Sequence, residues 1–184
     1  MRRPARPITA KYLQNAATYY LERYPTTAEG LRRVLQRRVR KAEMAEAPVM
    51  ENVAQAIAAI VAKFVDAGVI DDKAFAQTKA RALHRRGTST RATRQRLKMA
   101  GIDSDTLDAA MTALDQELDT DPRQREWKAA VALARRRRLG PFRLQKDRKE
   151  KRDRDLAAMA RGGFAYDLAR KVIDAESVDA LDEA

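Results

Sequence analysis

The 184-residue sequence predicts an all-α protein, built as an elongated tandem array of three repeats of three helices each. Apolar residues recur at helical spacing along the chain, and no stretch shows the sustained apolar–polar alternation of a strand. Residues that start or stop helices divide this pattern into about nine segments. The sequence also matches itself at an offset of 62 residues, which indicates an internal repeat.

The first repeat contains three predicted helices. Thr9 can cap the first helix, and Thr26 with Glu29 has the spacing of a capping box for the second. Pro48 opens the third helix, which is strongly apolar. Gly68 ends that helix, because a glycine just after the last apolar position favours a left-handed cap.

The second repeat follows the same plan with different charges. Asp71 starts its first helix, which stops at Gly87. Ser89 or Thr90 caps a short basic helix, and Ser104 caps the last helix of the repeat.

The third repeat begins at Asp121, where a proline at the next position favours a helix start. This helix runs to about residue 138 and is broken by Gly140 and a following proline. Two further helices are predicted, roughly over residues 146–161 and 165–175.

The self-match defines the predicted domain organisation. At the offset of 62, Thr27 falls on Ser89 and Gly101 falls on Gly163. The resulting segments are a basic N-terminal part with the first two helices of repeat 1 (1–46), the third helix of repeat 1 (47–70), repeat 2 (71–120), repeat 3 (121–175) and an acidic tail (176–184).

The formal net charge of +12 is unevenly distributed. The net charges of successive blocks are +9 (1–41), −4 (42–78), +8 (79–98), −7 (99–122), +10 (123–154), +1 (155–173) and −5 (174–184). Three separate basic blocks favour a long anionic partner over a single basic arm. The acidic C-terminal block either screens the basic faces or only solvates the chain.

The residues that the sequence lacks exclude several kinds of site. With no cysteine and one histidine, the chain can form no disulfide framework, thiolate zinc site or histidine metal cluster. Neither Gly101 nor Gly163 is followed by the Gly-Lys-Ser/Thr of a phosphate-binding loop. Asp71 and Asp72 are interpreted as helix caps and not as a catalytic carboxylate pair. We therefore expect no enzyme activity, no catalytic residue, no metal and no cofactor.

No apolar segment is long enough to cross a membrane, and no apolar signal region follows the basic N-terminus. We therefore expect a cytoplasmic protein without a membrane partner. His84 lies among Arg81, Arg85 and Arg86, whose positive charges disfavour its protonation. The helical spacing of Trp127 and the five tyrosines favours packing of these rings over stacking on bases.

Four segments resemble the signature of the RecX family of regulatory proteins. Residues 68–76 (GVIDDKAFA) resemble its Gly-aromatic-Leu-Asp-Asp-x-x-Phe-Ala motif, with Val69 at the aromatic position. Residues 86–89 (RGTS) and 97–102 (LKMAGI) resemble two further elements, and residues 159–174 are similar to the terminal segment, with Gly162 in place of a common arginine. The resemblance covers roughly residues 9–175. The matching residues, which we expect to be structural, are Gly68, Asp71, Asp72, Phe75, Ala76, Gly87, Leu97, Gly101, Ile102, Gly163 and Phe164.

The resemblance implies a non-enzymatic modulator of the RecA recombinase, and we expect the protein to be a monomer. Such a protein binds the RecA filament on single-stranded DNA, lowers its ATPase and strand-exchange activities and limits filament growth in homologous recombination, DNA repair and the SOS response. The residues alone leave two alternatives: a sequence-nonspecific nucleic-acid-binding helical protein, and a helical scaffold that docks an unrelated acidic protein.

The candidate contact residues are basic side chains of the second and third basic blocks. Arginine pairs well with both carboxylates and phosphates, so the residues can meet either RecA acids or DNA phosphates. They are Arg81, Arg85, Arg86, Arg91, Arg94, Arg96, Lys98, Arg135, Arg136, Arg137, Arg138, Lys149 and Arg152.

Overall fold

The computed structural model describes residues 6–181, and within this range the chain forms nine α-helices. They are α1 (Ala10–Leu21), α2 (Ala28–Glu43), α3 (Val53–Asp66), α4 (Asp72–Arg85), α5 (Thr90–Met99), α6 (Ser104–Leu118), α7 (Pro122–Arg137), α8 (Gln145–Arg161) and α9 (Tyr166–Ile173). Short 3₁₀ turns cover Gly140–Phe142 and Asp179–Leu181. The predicted all-α fold with three-helix repeats is confirmed.

Two compact units contain these helices. The first comprises the described residues up to Phe75 together with Met99–Asp103, and the second comprises Ala76–Lys98 and the described residues from Ser104 onward. The boundaries of the three sequence repeats remain a prediction.

Helices α1, α2 and α3 enclose the core of the first unit. Its buried apolar residues are Ile8, Leu13, Ala16, Ala17, Leu31, Leu35, Val39, Ala42, Ile57, Ile60, Val61 and Ile70. The expectation that the tyrosines pack inward holds only in part. Tyr12 and Tyr20 pack against this core, but Tyr19, Tyr24 and Tyr166 are exposed.

The starts of α1 and α2 depend on hydroxyl caps. Thr9 Oγ1 accepts a hydrogen bond from Tyr12 N at 3.1 Å, as predicted. In α2, however, Thr27 Oγ1 accepts from Gly30 N at 2.9 Å. The prediction that Thr26 caps this helix is therefore wrong by one residue.

Helix α3 begins later than predicted. Ile8 N donates to Pro48 O at 2.8 Å and Met50 N donates to Ile8 O at 3.1 Å, so these segments form an isolated β-bridge. Because the backbone of this segment is paired with Ile8, the helix cannot begin at Pro48. It begins at Val53, after Asn52 in a left-handed conformation.

Helices α7, α8 and α9 surround the main core of the second unit. Its buried apolar residues are Ala129, Ala130, Val131, Leu133, Ala134, Leu139, Leu156, Ala158, Met159, Phe164, Ala169, Val172, Ile173 and Leu181. The predicted start of α7 is confirmed, since Asp121 forms a capping box with Gln124. The link from α7 to α8 is held by the buried Asp155, which accepts hydrogen bonds from Gly140 N and from Arg143.

The hydroxyl caps of α2 and α5 form the same second contact. Thr27 Oγ1 donates to Ala100 O at 2.5 Å, and Ser89 Oγ donates to Gly162 O at 2.7 Å. In both cases the acceptor lies 73 residues later in the chain, at the end of the second helix of the next repeat. The correspondence of Thr27 with Ser89, inferred from the self-match, thus has a structural counterpart.

The first backbone amides of α2 and α5 also donate hydrogen bonds to carboxylates of the next repeat. Ala28 N donates to Asp72 Oδ1 at 2.9 Å, and Thr90 N donates to Glu126 Oε2 at 2.8 Å. The interpretation of the aspartate pair as helix caps is confirmed for both residues, but on different helices. Asp71 Oδ1 accepts from Ala74 N within α4, whereas Asp72 caps α2. We call each set of contacts made by Thr27 and Ala28, or by Ser89 and Thr90, a cap junction.

We expect Ser89→Ala to lower the free energy of unfolding by about 2 kcal/mol. The substitution removes the cap of α5, where Ala92 N donates to Ser89 Oγ, and it leaves the carbonyl of Gly162 without its donor. Urea denaturation followed by circular dichroism measures the change. Thr9→Ala is the control, because Thr9 caps α1 through a hydrogen bond from Tyr12 N within the same helix turn. Equal losses in the two variants would contradict a contribution from the bond to Gly162.

Candidate partner-binding surfaces

The two candidate arginines on α4 and α5 that face α6 are already neutralised. Arg81 pairs with Glu117 at 2.5 Å and Arg94 pairs with Asp108 at 2.5 Å. The acidic block of residues 99–122 thus supplies carboxylates to the preceding basic block. Exposed pairs of this kind contribute about 0.2–1 kcal/mol each, so a stronger partner could replace them.

Arg152 forms an ion pair with the first residue of the acidic C-terminal block (174–184), which we call the acidic segment. Its guanidinium donates two hydrogen bonds to Asp174, both of 2.7 Å. These bonds lower the pKa of Asp174 and raise that of Arg152. Arg148 also donates to the backbone carbonyls of Ala175 and Glu176. The start of the acidic segment therefore covers one side of α8.

The same segment is anchored in the core of the second unit. Leu181 is buried, and its carbonyl accepts a hydrogen bond of 3.1 Å from Trp127 Nε1. Deleting residues 174–184 would therefore disturb the fold as well as the charge. Screening by this segment is better tested by substituting its exposed acids, such as Glu176. The tail residues 182–184 lie outside the described part of the chain.

The other candidates are exposed cations, and among residues 6–181 they form no ion pair. They are Arg85, Arg86, Arg91, Arg96, Lys98, Arg135, Arg136, Arg137, Arg138 and Lys149. Arg96 donates to Thr88 Oγ1 at 3.3 Å, and the Arg135 guanidinium lies 5.5 Å from the centre of the Phe142 ring. These unpaired candidates belong to the second and third basic blocks of the sequence.

The four consecutive arginines 135–138 do not form one face. Successive residues of a helix point about 100° apart, and Arg138 leaves the helix in a left-handed conformation. Their positive charges stabilise the C-terminus of α7, where the helix dipole is negative. Only Arg135 and Arg136 turn toward the groove described next.

An open groove of about 1520 Å³ runs along α7 and α9. We call it the α7–α9 groove. Its apolar floor includes Trp127, Val131, Leu168 and Leu181. Its lining also holds the cations Arg85, Arg123, Lys128, Arg135, Arg136 and Lys171 and the carboxylates Asp119, Glu126 and Asp167. Of these cations, only Arg85, Arg135 and Arg136 are among the sequence candidates. The side chains of residues 123, 127, 131 and 135 share one face of α7 because they are spaced by four.

The surroundings of His84 disfavour its protonated form. Burial lowers the pKa of His84, and the positive charges of Arg125 and Lys128 lower it further. The direction agrees with the sequence prediction, but the largest cause is burial and the nearby charges come from α7. Arg125 is itself buried and forms an ion pair with Asp115.

The residues of the family signature lie at helix ends and in the cores. Four of its glycines, Gly68, Gly87, Gly101 and Gly163, follow helices and have positive φ angles. Its apolar members Ala76, Leu97, Ile102 and Phe164 are buried, and Phe75 is partly buried. This placement agrees with a structural role.

Within residues 6–181 no group of three or more acidic or histidine side chains is arranged to hold a metal ion. None of the helices described has the length and apolar character needed to cross a membrane.

Comparison with known proteins gives a family-model match over part of the chain and matches to relatives over nearly all of it. A family model described as RecX, second three-helix domain, matches residues 71–111. The regulatory protein RecX of Myxococcus xanthus is 40% identical over 176 residues, which cover 94% of this chain and 91% of that protein. The regulatory protein RecX of Agrobacterium fabrum is 28% identical over 171 residues, covering 93% and 86% of the two chains.

A solved structure shares the fold. The crystal structure of RecX from Lactobacillus salivarius matches with a TM-score of 0.58 at 20% identity, and the match covers 95% of this chain and 97% of that one. The sequence match to the Myxococcus xanthus protein extends over nearly the full length of both chains. On that evidence, this chain belongs to the RecX family of regulatory proteins.

Proposed function

We propose that the protein binds the RecA filament on single-stranded DNA and lowers its ATPase, strand-exchange and growth rates. The observation that carries the proposal is membership of the RecX family, through a relative named a regulatory protein. We also propose that it acts by binding, as a monomer, and not as an enzyme.

The distribution of unpaired cations supports a long partner. Exposed cations without ion pairs occur on α5 of the second repeat and at the end of α7 and on α8 in the third, among the residues described. A filament repeats the same surface at intervals, so weak contacts made by successive repeats add through a high effective concentration. A single duplex site offers no such repetition of protein surface.

Adding the purified protein below the concentration of RecA, and following ATP hydrolysis on single-stranded DNA, tests the proposal. We expect turnover to fall, because a few bound molecules interrupt a continuous filament. Unchanged turnover at low salt, where charge contacts are strongest, would contradict it.

A pair of matched variants tests the role of the cations. Arg91→Glu with Lys98→Glu reverses two exposed charges on one face of α5, and we expect about tenfold more protein to be needed for half inhibition. Lys63→Glu with Lys73→Glu gives the same change in net charge at exposed lysines of the acidic block. This control should inhibit like the unchanged protein, and equal weakening of both variants would indicate a nonspecific charge effect.

A second candidate function, direct binding of single-stranded nucleic acid, is favoured by one surface of the first unit. Tyr19 and Tyr24 are 56% and 54% exposed, and the Arg23 guanidinium lies 3.7 Å from the centre of the Tyr19 ring. Exposed rings beside arginine are suited to stacking on bases. This alternative predicts binding of oligothymidylate without RecA, lost in a Tyr19→Ala, Tyr24→Ala variant and weakened steeply by salt.

A further inference from the structure

We propose that the α7–α9 groove is a docking site for an acidic peptide segment that carries aliphatic side chains. The proposal deepens the function proposed above by giving the chemistry of a partner segment. The proposed function identifies the protein that would supply the segment. The chemistry of the segment is argued from the groove alone.

The size and floor of the groove favour a peptide. Its volume of about 1520 Å³ exceeds the roughly 300–1,000 Å³ of a small-molecule pocket. Val131, Leu168 and Leu181 give the floor an aliphatic character, and covering apolar surface favours binding. Aliphatic side chains of a partner would therefore contribute to binding at this floor.

The charge of the rim selects an acidic partner. The six lining cations named above form no ion pair among the described residues. Of the three lining carboxylates, Glu126 is occupied by the amide and hydroxyl of Thr90. Arginine forks bind carboxylates with two parallel hydrogen bonds, so glutamates or aspartates placed between the aliphatic anchors would find partners.

A peptide fits this lining better than a nucleic acid does. Stacking on bases needs exposed aromatic faces, whereas the groove is lined by a single aromatic side chain, Trp127, within the part of the chain that the structure describes. The aliphatic floor matches leucine or isoleucine, whereas the apolar groups of a nucleic acid are limited to ring faces and the thymine methyl group. Asp119 and Asp167 on the lining would repel phosphates and peptide carboxylates alike, but a peptide also has backbone amides that can donate to them.

The test uses the full chain without RecA. Trp127 is the only tryptophan of the sequence and lines the groove, so its fluorescence reports occupancy. The probes are a synthetic glutamate–leucine peptide with leucines at helical spacing, the same peptide with serine at the leucine positions, and oligothymidylate. We expect a saturable change with the first peptide and binding at least tenfold weaker with the other two.

Two double variants at the end of α7 locate the site. Arg135→Glu with Arg136→Glu alters groove residues, and Arg137→Glu with Arg138→Glu makes the same charge change at exposed arginines that do not line it. We expect the first pair to weaken the peptide about tenfold or more and the second to leave it nearly unchanged. Circular dichroism melting establishes that both variants are folded.

Three results would overturn the proposal: no saturable change with the glutamate–leucine peptide, equal weakening by both double variants, or oligothymidylate binding as tightly as the peptide. The last result would assign the groove to nucleic acid. Because RecA is absent from this experiment, a failure here is separate from a failure to inhibit RecA turnover.

Discussion

Replacing Asp155 with alanine should lower the free energy of unfolding by about 3–5 kcal/mol. The Asp155 side chain is 1% exposed. Its carboxylate accepts hydrogen bonds from Gly140 N at 2.9 Å and from Arg143 Nε and Nη2, both at 2.7 Å. The bond to Asp155 raises the pKa of Arg143, so the arginine stays charged. Alanine would leave this guanidinium and the Gly140 amide without their acceptor at the link between α7 and α8.

Urea denaturation followed by Trp127 fluorescence measures this loss, because Trp127 lies in the same unit. Asp153→Ala is the matched control two residues away. The Asp153 side chain is 97% exposed and lies 3.6 Å from Arg152, so its removal should change the free energy of unfolding by no more than about 0.5 kcal/mol. Similar losses in both variants would show that the hydrogen bonds of Asp155 do not stabilise the link.

Gly87→Ala should destabilise the protein far more than Gly68→Ala, although the two glycines have nearly equal φ angles of +66° and +68°. A left-handed conformation costs an alanine about 1–2 kcal/mol at either position. A Cβ at Gly68 would meet nothing within 4 Å, whereas at Gly87 it would lie 2.3 Å from Leu133 N and 2.8 Å from Ala129 O. Because these are backbone atoms of α7, they cannot turn aside as a side chain would.

The clash should add about 1–3 kcal/mol to the conformational cost at Gly87. Thermal and urea unfolding of the two variants give the difference directly, and amide hydrogen exchange in α7 locates its cause. Faster exchange in α7 is expected for Gly87→Ala alone. Equal destabilisation would mean that α7 moves away at little cost and that both glycines serve only as helix ends.

The sequence predicts helices well where a local signal decides their boundaries. The cap at Thr9 and the helix start at Asp121 depend on residues within one turn, and both predictions are confirmed. Thr26 and Thr27 are adjacent hydroxyl residues, and either could cap α2. The residue that does so, Thr27, also donates a hydrogen bond to Ala100 O, far along the chain. The late start of α3 likewise depends on pairing with Ile8. Such long-range contacts leave no local pattern.

The candidate surfaces also depend on long-range contacts that the sequence does not predict. The basic residues are visible in the sequence, but the pairing of Arg81 with Glu117 depends on how α4 packs against α6. In α7, apolar residues occur on both sides of the helix. Ala130 and Leu133 lie in the core while Trp127 lines the groove, and periodicity alone does not choose between these faces.

The cap junctions affect when helices α2 and α5 can be fully capped during translation. The first amide of α2 is bonded by Asp72, which is synthesised 44 residues later, and the first amide of α5 by Glu126, which follows after 36 residues. During translation the N-terminal part emerges first. The first and second repeats therefore gain these capping hydrogen bonds, which complete the N-terminal caps of α2 and α5, only after part of the following repeat has been synthesised. A chain that ends before Asp72 or Glu126 lacks the corresponding bond.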